Sequence, residues 1–373
     1  MFLALREMRR AAIRFGLLVM AVGLLVFLIL AQQALQDGLL TAFVGGIRNQ
    51  SAPVLVYSVD GQKALQGSII PPPLEEAVRG TEGVGAAARL GQSTFTVTDD
   101  GDDGDAAIVG AEDPALGTPT TLASGRRPEA QGEAVGSEAD YRLGEQVVVE
   151  AAGPGVEPVT ITVVGLGRDL QLNVSPTLFT DYATYEAAVR AANPDATEVL
   201  PSAIAVQPAA GVEAEALIAR LDAASPEAQA LTRTQAADES PGVAQVRQSF
   251  QIVFLLYGMV VPLVTGLFFL IITLQKSDSL TLLRAVGARG AVLARSLLVQ
   301  VVAVIGLGLG VGVALYSLLV SAGLGFLTLR FNPGAVLFWS VLLMVLGLLS
   351  ALVAVRRVLR IDPIDATTGG GGR

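Results

Sequence analysis

The chain has 373 residues, 52% of them apolar and only 16% charged, with a mean hydropathy of +0.57, which is too apolar for a water-soluble globular protein and fits a chain that is part membrane. It contains neither cysteine nor histidine, which excludes disulfides, thiol chemistry, His-based catalytic triads, HExxH zinc sites and bis-His haem ligation. The net charge of −9 joins two opposite parts: residues 37–249 carry 30 acidic and 12 basic residues (−18), the remainder 4 acidic and 13 basic (+9), a membrane-protein pattern and not that of a nucleic-acid binder.

In chain order, residues 1–14 are basic, with Arg6, Arg9, Arg10 and Arg14 ahead of an uncharged run, Phe15 to Leu30. The span is placed at 15–36, long enough for roughly 30 Å of hydrocarbon at about 1.5 Å per residue. A cleaved signal peptide is the alternative; the run is long for one, and Gln32 and Gln33 stand where cleavage needs small residues. Residues 37–249 form a polar insert that reads as mixed α/β. Ala52–Val59, Phe95–Val97, Gln146–Glu150 and Thr160–Val164 are strand-like, and Asp181–Ala192 and Glu213–Asp222 are helix-like. The acidic run Asp99 to Asp105 invites a calcium-loop reading, but lacks the spacing and terminal Glu of an EF-hand and reads as a solvated hairpin turn.

Three further spans follow, at 250–274, 294–320 and 335–355, separated by a cytoplasmic loop (275–293) and a short outside loop (321–334), with a tail at 356–373. Arg and Lys flank the two termini and the 275–293 loop, whereas the 321–334 loop has only Arg330. Both termini are therefore expected in the cytoplasm of a plasma or inner membrane, and the insert outside. In the second span Tyr257, Met259 and Pro262 interrupt an aliphatic helix; they read as packing residues and a kink. In the third, Gly306, Gly308, Gly310 and Gly312 form two overlapping GxxxG patterns, suited to packing within one subunit or to a dimer interface.

The loop Gln275-Lys276 to Ala288 holds Leu280, Leu283 and Val286–Gly287 at helical spacing, with Lys276, Asp278 and Arg284 around them. Such a short amphipathic helix suits either a membrane surface or the groove of a cytoplasmic partner. No GxxxxGK[ST] motif is present, so an ATPase would be a separate polypeptide, and no GxSxG or SxxK motif supports a hydrolase.

The pattern Gln-Lys-x-x-x-Leu-x-Leu-Leu-Arg-Ala-Val-Gly-Ala resembles the signature loop of the FtsX/MacB-like permeases of ABC transporters (type VII, mechanotransmission). That resemblance implies a coupling helix seated on the ATPase through Lys276, Leu280, Leu283, Arg284, Ala285, Val286 and Gly287. The commoner family form has Glu-Arg near the start and Arg-Glu-Ile-Gly before the Leu. The Gln275-Lys276 and Asp278-Ser279-Leu280-Thr281 found here are closer to the HrtB/DevC branch. The amphipathic start Leu3 to Arg10, Ser124-Gly-Arg-Arg-Pro128, Gly132-Glu133, Leu143-Gly144-Glu145, Val163-Val164-Gly165 and Arg360-Ile-Asp-Pro363 also resemble the family. The fold implied is a four-helix membrane protein with an inserted α/β extracytoplasmic domain of the MacB-core type. The implied function is a homodimeric permease, in membrane lipid, exporting amphiphilic cargo (haem, lipid, peptide or drug). It binds no nucleic acid and no cofactor or metal of its own, ATP and Mg residing on the partner ATPase. Were haem the cargo, Tyr257 and Met259 are the ligand types on offer. The alternative within the family is a non-transporting regulator of cell-wall hydrolases or of a sensor kinase.

Overall fold

The computed structural model describes residues 11–99, 102–153, 155–275, 290–322 and 329–359. Of the expected elements, residues 1–10 of the N-terminal helix (1–14), 276–289 of the coupling loop (275–293), 323–328 of the short outside loop (321–334) and the tail from 360 lie outside the described residues. The chain divides into two compact units, one of residues 1–37 with 248–373 and the other of residues 38–247.

The second unit takes in the end of α1 (Ala12–Asn49), which is followed by β1 (Val54–Ser58), α2 (Pro72–Gly80), β2 (Val84–Asp99) and β3 (Asp102–Ala111). Next come α3 (Pro114–Gly117), β4 (Ser124–Gly125), β5 (Glu133–Ser137), β6 (Gln146–Val149), β7 (Val159–Gly167) and β8 (Thr177–Asp181). The last elements are α4 (Tyr182–Ala192), β9 (Ala203–Pro208), α5 (Ala214–Ala224), β10 (Ala228–Thr232), α6 (Arg233–Asp238) and the start of α7 (Val243–Gln275). All the strand-like and helix-like segments read from the sequence are there.

Strands β2, β3, β8, β5, β7 and β6 pair in a closed circuit, β6 returning to β2; β3–β8 and β5–β7 are parallel and the rest antiparallel. Closure leaves these six strands without a free edge. Alternating residues of the circuit, Val97, Ile108, Val147, Val149, Ile161 and Val163, pack with Tyr182 and Tyr185 of α4 in one core. The 16-residue β2 also pairs with β9, which continues to β1 and β10. In this second sheet Val54 and Val56 face α2 and α5, while Leu55 and Tyr57 face a core that includes Leu40, Val44 and Ile47 of α1. Burial on both faces is why β1 reads Val-Leu-Val-Tyr with no polar alternation. The acidic hairpin is real: Asp99 pairs with Asp102, and Thr98 and Thr96 donate to Asp103 and Asp105 at 3.0 and 3.4 Å.

The first unit is helical. Phe15, Leu18, Val22, Val26 and Ile29 form a stripe on α1 that packs with Val261 of α7, Val301, Val304 and Ile305 of α8 (Gly290–Ala322) and Trp339 and Leu343 of α9 (Pro333–Leu359). The other faces are apolar as well: Leu17, Leu24, Leu255, Leu263, Leu307, Leu318, Leu337 and Phe338 are exposed. A helix set apolar on all sides belongs in hydrocarbon. Among the described residues three helices are long and apolar enough to cross a membrane, α1, α7 over Val243–Val264 and α8 over Leu298–Ala322; in α9 the shorter apolar stretch Pro333–Leu349 qualifies by composition but not by that length.

The glycine pattern splits in two. A Cβ on Gly308 or Gly312 would come within 2.6 and 2.5 Å of Val22 and Val26, so this pair lets α8 close on α1; Gly306 and Gly310 have nothing within 4 Å. The helix that holds the first expected span continues past residue 36 and runs 38 residues to Asn49, about 57 Å at 1.5 Å per residue. The periodic Leu40, Val44 and Ile47 carry it into the core of the domain.

Candidate functional site

The end of α1 and the start of α7 are the segments of the domain that lead toward the apolar helices, and the domain fastens them to one residue. Thr232 caps α6 by a capping box with Gln235: its Oγ1 accepts from the Gln235 N–H at 3.2 Å, and its own N–H donates to Gln235 Oε1 at 3.0 Å. Six residues later α6 ends at Asp238. The chain then turns through Glu239, Ser240, Pro241 and Gly242, the last with φ +85°, and enters α7 at Val243. Asp238 Oδ1 accepts from Arg48, one residue from the end of α1, at 2.8 Å and from Arg247, in the first turns of α7, at 2.6 Å. Burial pushes the Asp238 carboxyl up, and the bonds from Arg48 and Arg247 outweigh this, leaving it below its ordinary range. Next to it, Glu239 pairs with Lys63, and Arg233 donates to the Gln50 carbonyl at 2.6 Å. Two acidic residues thus gather three cations from α1, α7 and the loop after β1.

A second constellation coincides with the sequence motif around Arg126. The Arg126 fork grips Glu133, one arm at 2.7 Å, and Glu133 Oε2 accepts from the N–H groups of Glu129 and Ala130 at 2.9 and 3.2 Å. Gly125 and Gly132 flank this loop with φ near +80°, and a Cβ on Gly125 would lie 2.3 Å from the Val164 carbonyl. The Gly-Arg-Arg-Pro and Gly-Glu pieces therefore form one ion-paired loop laid against β7.

The residues expected to couple to an ATPase, Lys276, Leu280, Leu283, Arg284, Ala285, Val286 and Gly287, lie outside the described residues. Tyr257 and Met259 are both on α7 but are not brought together: Tyr257 is partly buried against the helical core, while Met259 is 65% exposed. Two positions along a helix are about 200° apart in azimuth, which is the physical reason. The Asp238 pairing was missed in the sequence. Its signals were Asp238-Glu239 between a Thr-capped helix and a Pro-Gly turn, and a single Arg near each long helix end.

These features define an integral membrane protein whose apolar helices carry a folded α/β domain. No protein-family model matches the chain, and no curated protein sequence matches it. Solved structures resemble it, among them the following two. The periplasmic region of MacB from Actinobacillus actinomycetemcomitans is 13% identical, with 51% of this chain and 92% of that one covered and a TM-score of 0.36. The extracellular domain of the noncanonic ABC-type transporter YknZ from Gram-positive bacteria is 11% identical, covering 48% and 99%, with a TM-score of 0.32.

Proposed function

We propose that the chain is the permease subunit of an ABC transporter of the FtsX/MacB-like kind, working as a homodimer with a separate cytoplasmic ATPase and exporting amphiphilic cargo by mechanotransmission. The observation that carries this reading is the Asp238 clamp, which fixes the domain ends of α1 and α7 to a single carboxylate. At the other end of α7, directly after Gln275, begins the loop that resembles a coupling helix. A push delivered there by ATP-driven closure of the ATPase travels along α7 to Arg247 and Asp238, where it meets α1 and the sheet through Arg48 and Arg233. The open Gly306–Gly310 face of α8 is free for a second copy of the chain. Exposed Met259, rather than Tyr257, is the residue of α7 placed to meet cargo arriving from lipid, haem included.

Tagged protein solubilised from membranes should co-purify one Walker-type ATPase per permease chain. Leu283→Asp puts a charge where the groove expects an apolar side chain, at a cost of a few kcal/mol. It should abolish co-purification while insertion persists, whereas Arg284→Ala, a rim charge, should be mild. Recovery of the ATPase unchanged with Leu283→Asp would place that loop on lipid and remove the coupling role.

A further inference from the structure

Within the domain, beside the end of α1 and the turn that precedes α7, lies a cavity of about 220 Å³. Phe43 and Ile47 of α1, Leu65, Leu172 and Ser240 form its walls, and no charged side chain lines it. Gln92 of β2 also lines it, is only 3% exposed, and has no hydrogen-bond partner among the described residues on either Nε2 or Oε1. The Gln92 backbone is fixed, pairing with Val109 and donating its N–H to Ser202 Oγ at 3.1 Å. The side chain is therefore not in this position through slack in the strand. A buried primary amide with no partner is rare in native proteins, and an apolar residue of the same shape would serve packing better.

Asn173, which also lines the cavity, holds its backbone at φ +51°. Among the described residues every non-glycine with positive φ falls in two short segments: Gln62 and Lys63, and Asp169, Asn173 and Val174. Val174, β-branched at φ +63°, is the costliest of these. The strain is held by specific bonds. The N–H groups of Asn173 and Val174 donate to the carbonyls of Phe43 and Ala42 at 3.0 and 2.9 Å, and Asn173 Nδ2 donates to Gln66 Oε1 at 3.3 Å. An apolar cavity lined by one buried, unsatisfied amide has the make-up of a small-ligand site.

We infer that this cavity binds an uncharged amide carrying an apolar side chain, as a short peptide or acylated amino-acid amide does. The ligand's carbonyl accepts from Gln92 Nε2 and its N–H donates to Gln92 Oε1, while the side chain lies against Phe43, Ile47, Leu65 and Leu172. A charged head group is rejected, since nothing in the lining compensates its desolvation. Ser240 follows Asp238 and Glu239 directly, so an occupied cavity braces the turn that holds the clamp. This site stands whether or not the chain drives transport.

The test titrates N-acetyl-leucinamide into the full-length protein in detergent, followed by saturation-transfer NMR and thermal unfolding. Saturable binding is expected, with leucinamide, which bears an ammonium, binding at least about ten-fold more weakly. Gln92→Leu should weaken binding by about ten-fold while keeping or raising the melting temperature, because it removes an unsatisfied polar group. Ser240→Trp should abolish binding by filling the cavity, and Gln92→Met serves in place of Gln92→Leu if the latter does not fold. No saturable binding, equal binding of leucinamide, or unchanged binding in the Gln92 variant or in Ser240→Trp would each overturn the assignment.

Discussion

Arg126 and Glu133 show how much a single residue pair fixes. Glu133 is half-buried, and the Arg126 fork first, and then the N–H groups of Glu129 and Ala130, hold its carboxyl down at about 2. The sign follows from the depression: the pairing contributes its full stability above the ordinary value of 4.5 and loses it as pH falls through about 2. Carbon-13 titration of labelled Glu side chains should therefore show Glu133 ionised through pH 3, and in Arg126→Ala its midpoint should return toward 4.5. A midpoint near 4.5 in the native chain would mean that the fork is not closed in solution. Glu75, by contrast, is a buried carboxylate of a different kind. It accepts from Arg79 and Arg89 at 2.9 and 2.8 Å, and Arg79 also reaches Glu112, so a network spans α2 and the sheet. Arg126 and Glu133 were visible in the sequence as parts of a recurrent motif; Glu75 and Arg89 were not, because they stand 14 positions apart on a helix and a strand that share no pattern.

At the scale of elements, the domain is organised by where its long helices end. The strands were legible as short β-prone runs between Gly and Pro, and the helices through their apolar spacing, because those signals are local. The closed six-strand circuit was not, since it depends on β6 returning to β2, a pairing between Val97 and Val149 that no local pattern encodes. The extension of α1 to Asn49 was hidden by Gly45 and Gly46. Those glycines are there because the Asp169–Leu172 loop lies on them: a Cβ on Gly45 would sit 2.4 Å from the Asp169 carbonyl. Asp238 joins these two helix ends, and its energetic share is modest. Its side chain is 36% exposed and each arginine 37%, so each pair contributes about 0.5–1 kcal/mol. Asp238→Ala should lower the stability of the domain by about 1–2 kcal/mol in urea unfolding. In an Arg48→Ala background the same change should cost less, since one bond is already gone. The depressed Asp238 carboxyl adds a pH signature, its contribution complete above its ordinary value of 3.8 and lost as pH falls below it. Equal costs in both backgrounds would show that Arg48 and Asp238 do not act together.

At the scale of the whole molecule the question is how many times the chain crosses the bilayer. Positive charge precedes the first helix, fills the loop after Gln275 and follows the last helix, whereas the segment between α8 and α9 has only Arg330. By the positive-inside rule that distribution predicts an even number of crossings. Among the described residues three helices meet the length and hydropathy of a span outright, and the apolar stretch of α9 is shorter, Pro333–Leu349. Yet α9 itself is 27 residues, about 40 Å at 1.5 Å per residue, enough for roughly 30 Å of hydrocarbon. Its last turn holds Arg356 and Arg357. Because the chain has no cysteine, introduced thiols report without background. Ala210→Cys and Ala224→Cys, both exposed on the domain, should react with an impermeant maleimide in whole cells. Ser277→Cys and Thr367→Cys should react only after the cells are permeabilised. Thr367 is the deciding site: its labelling from outside would reduce the chain to three crossings, and labelling of Ser277 would reverse the orientation altogether.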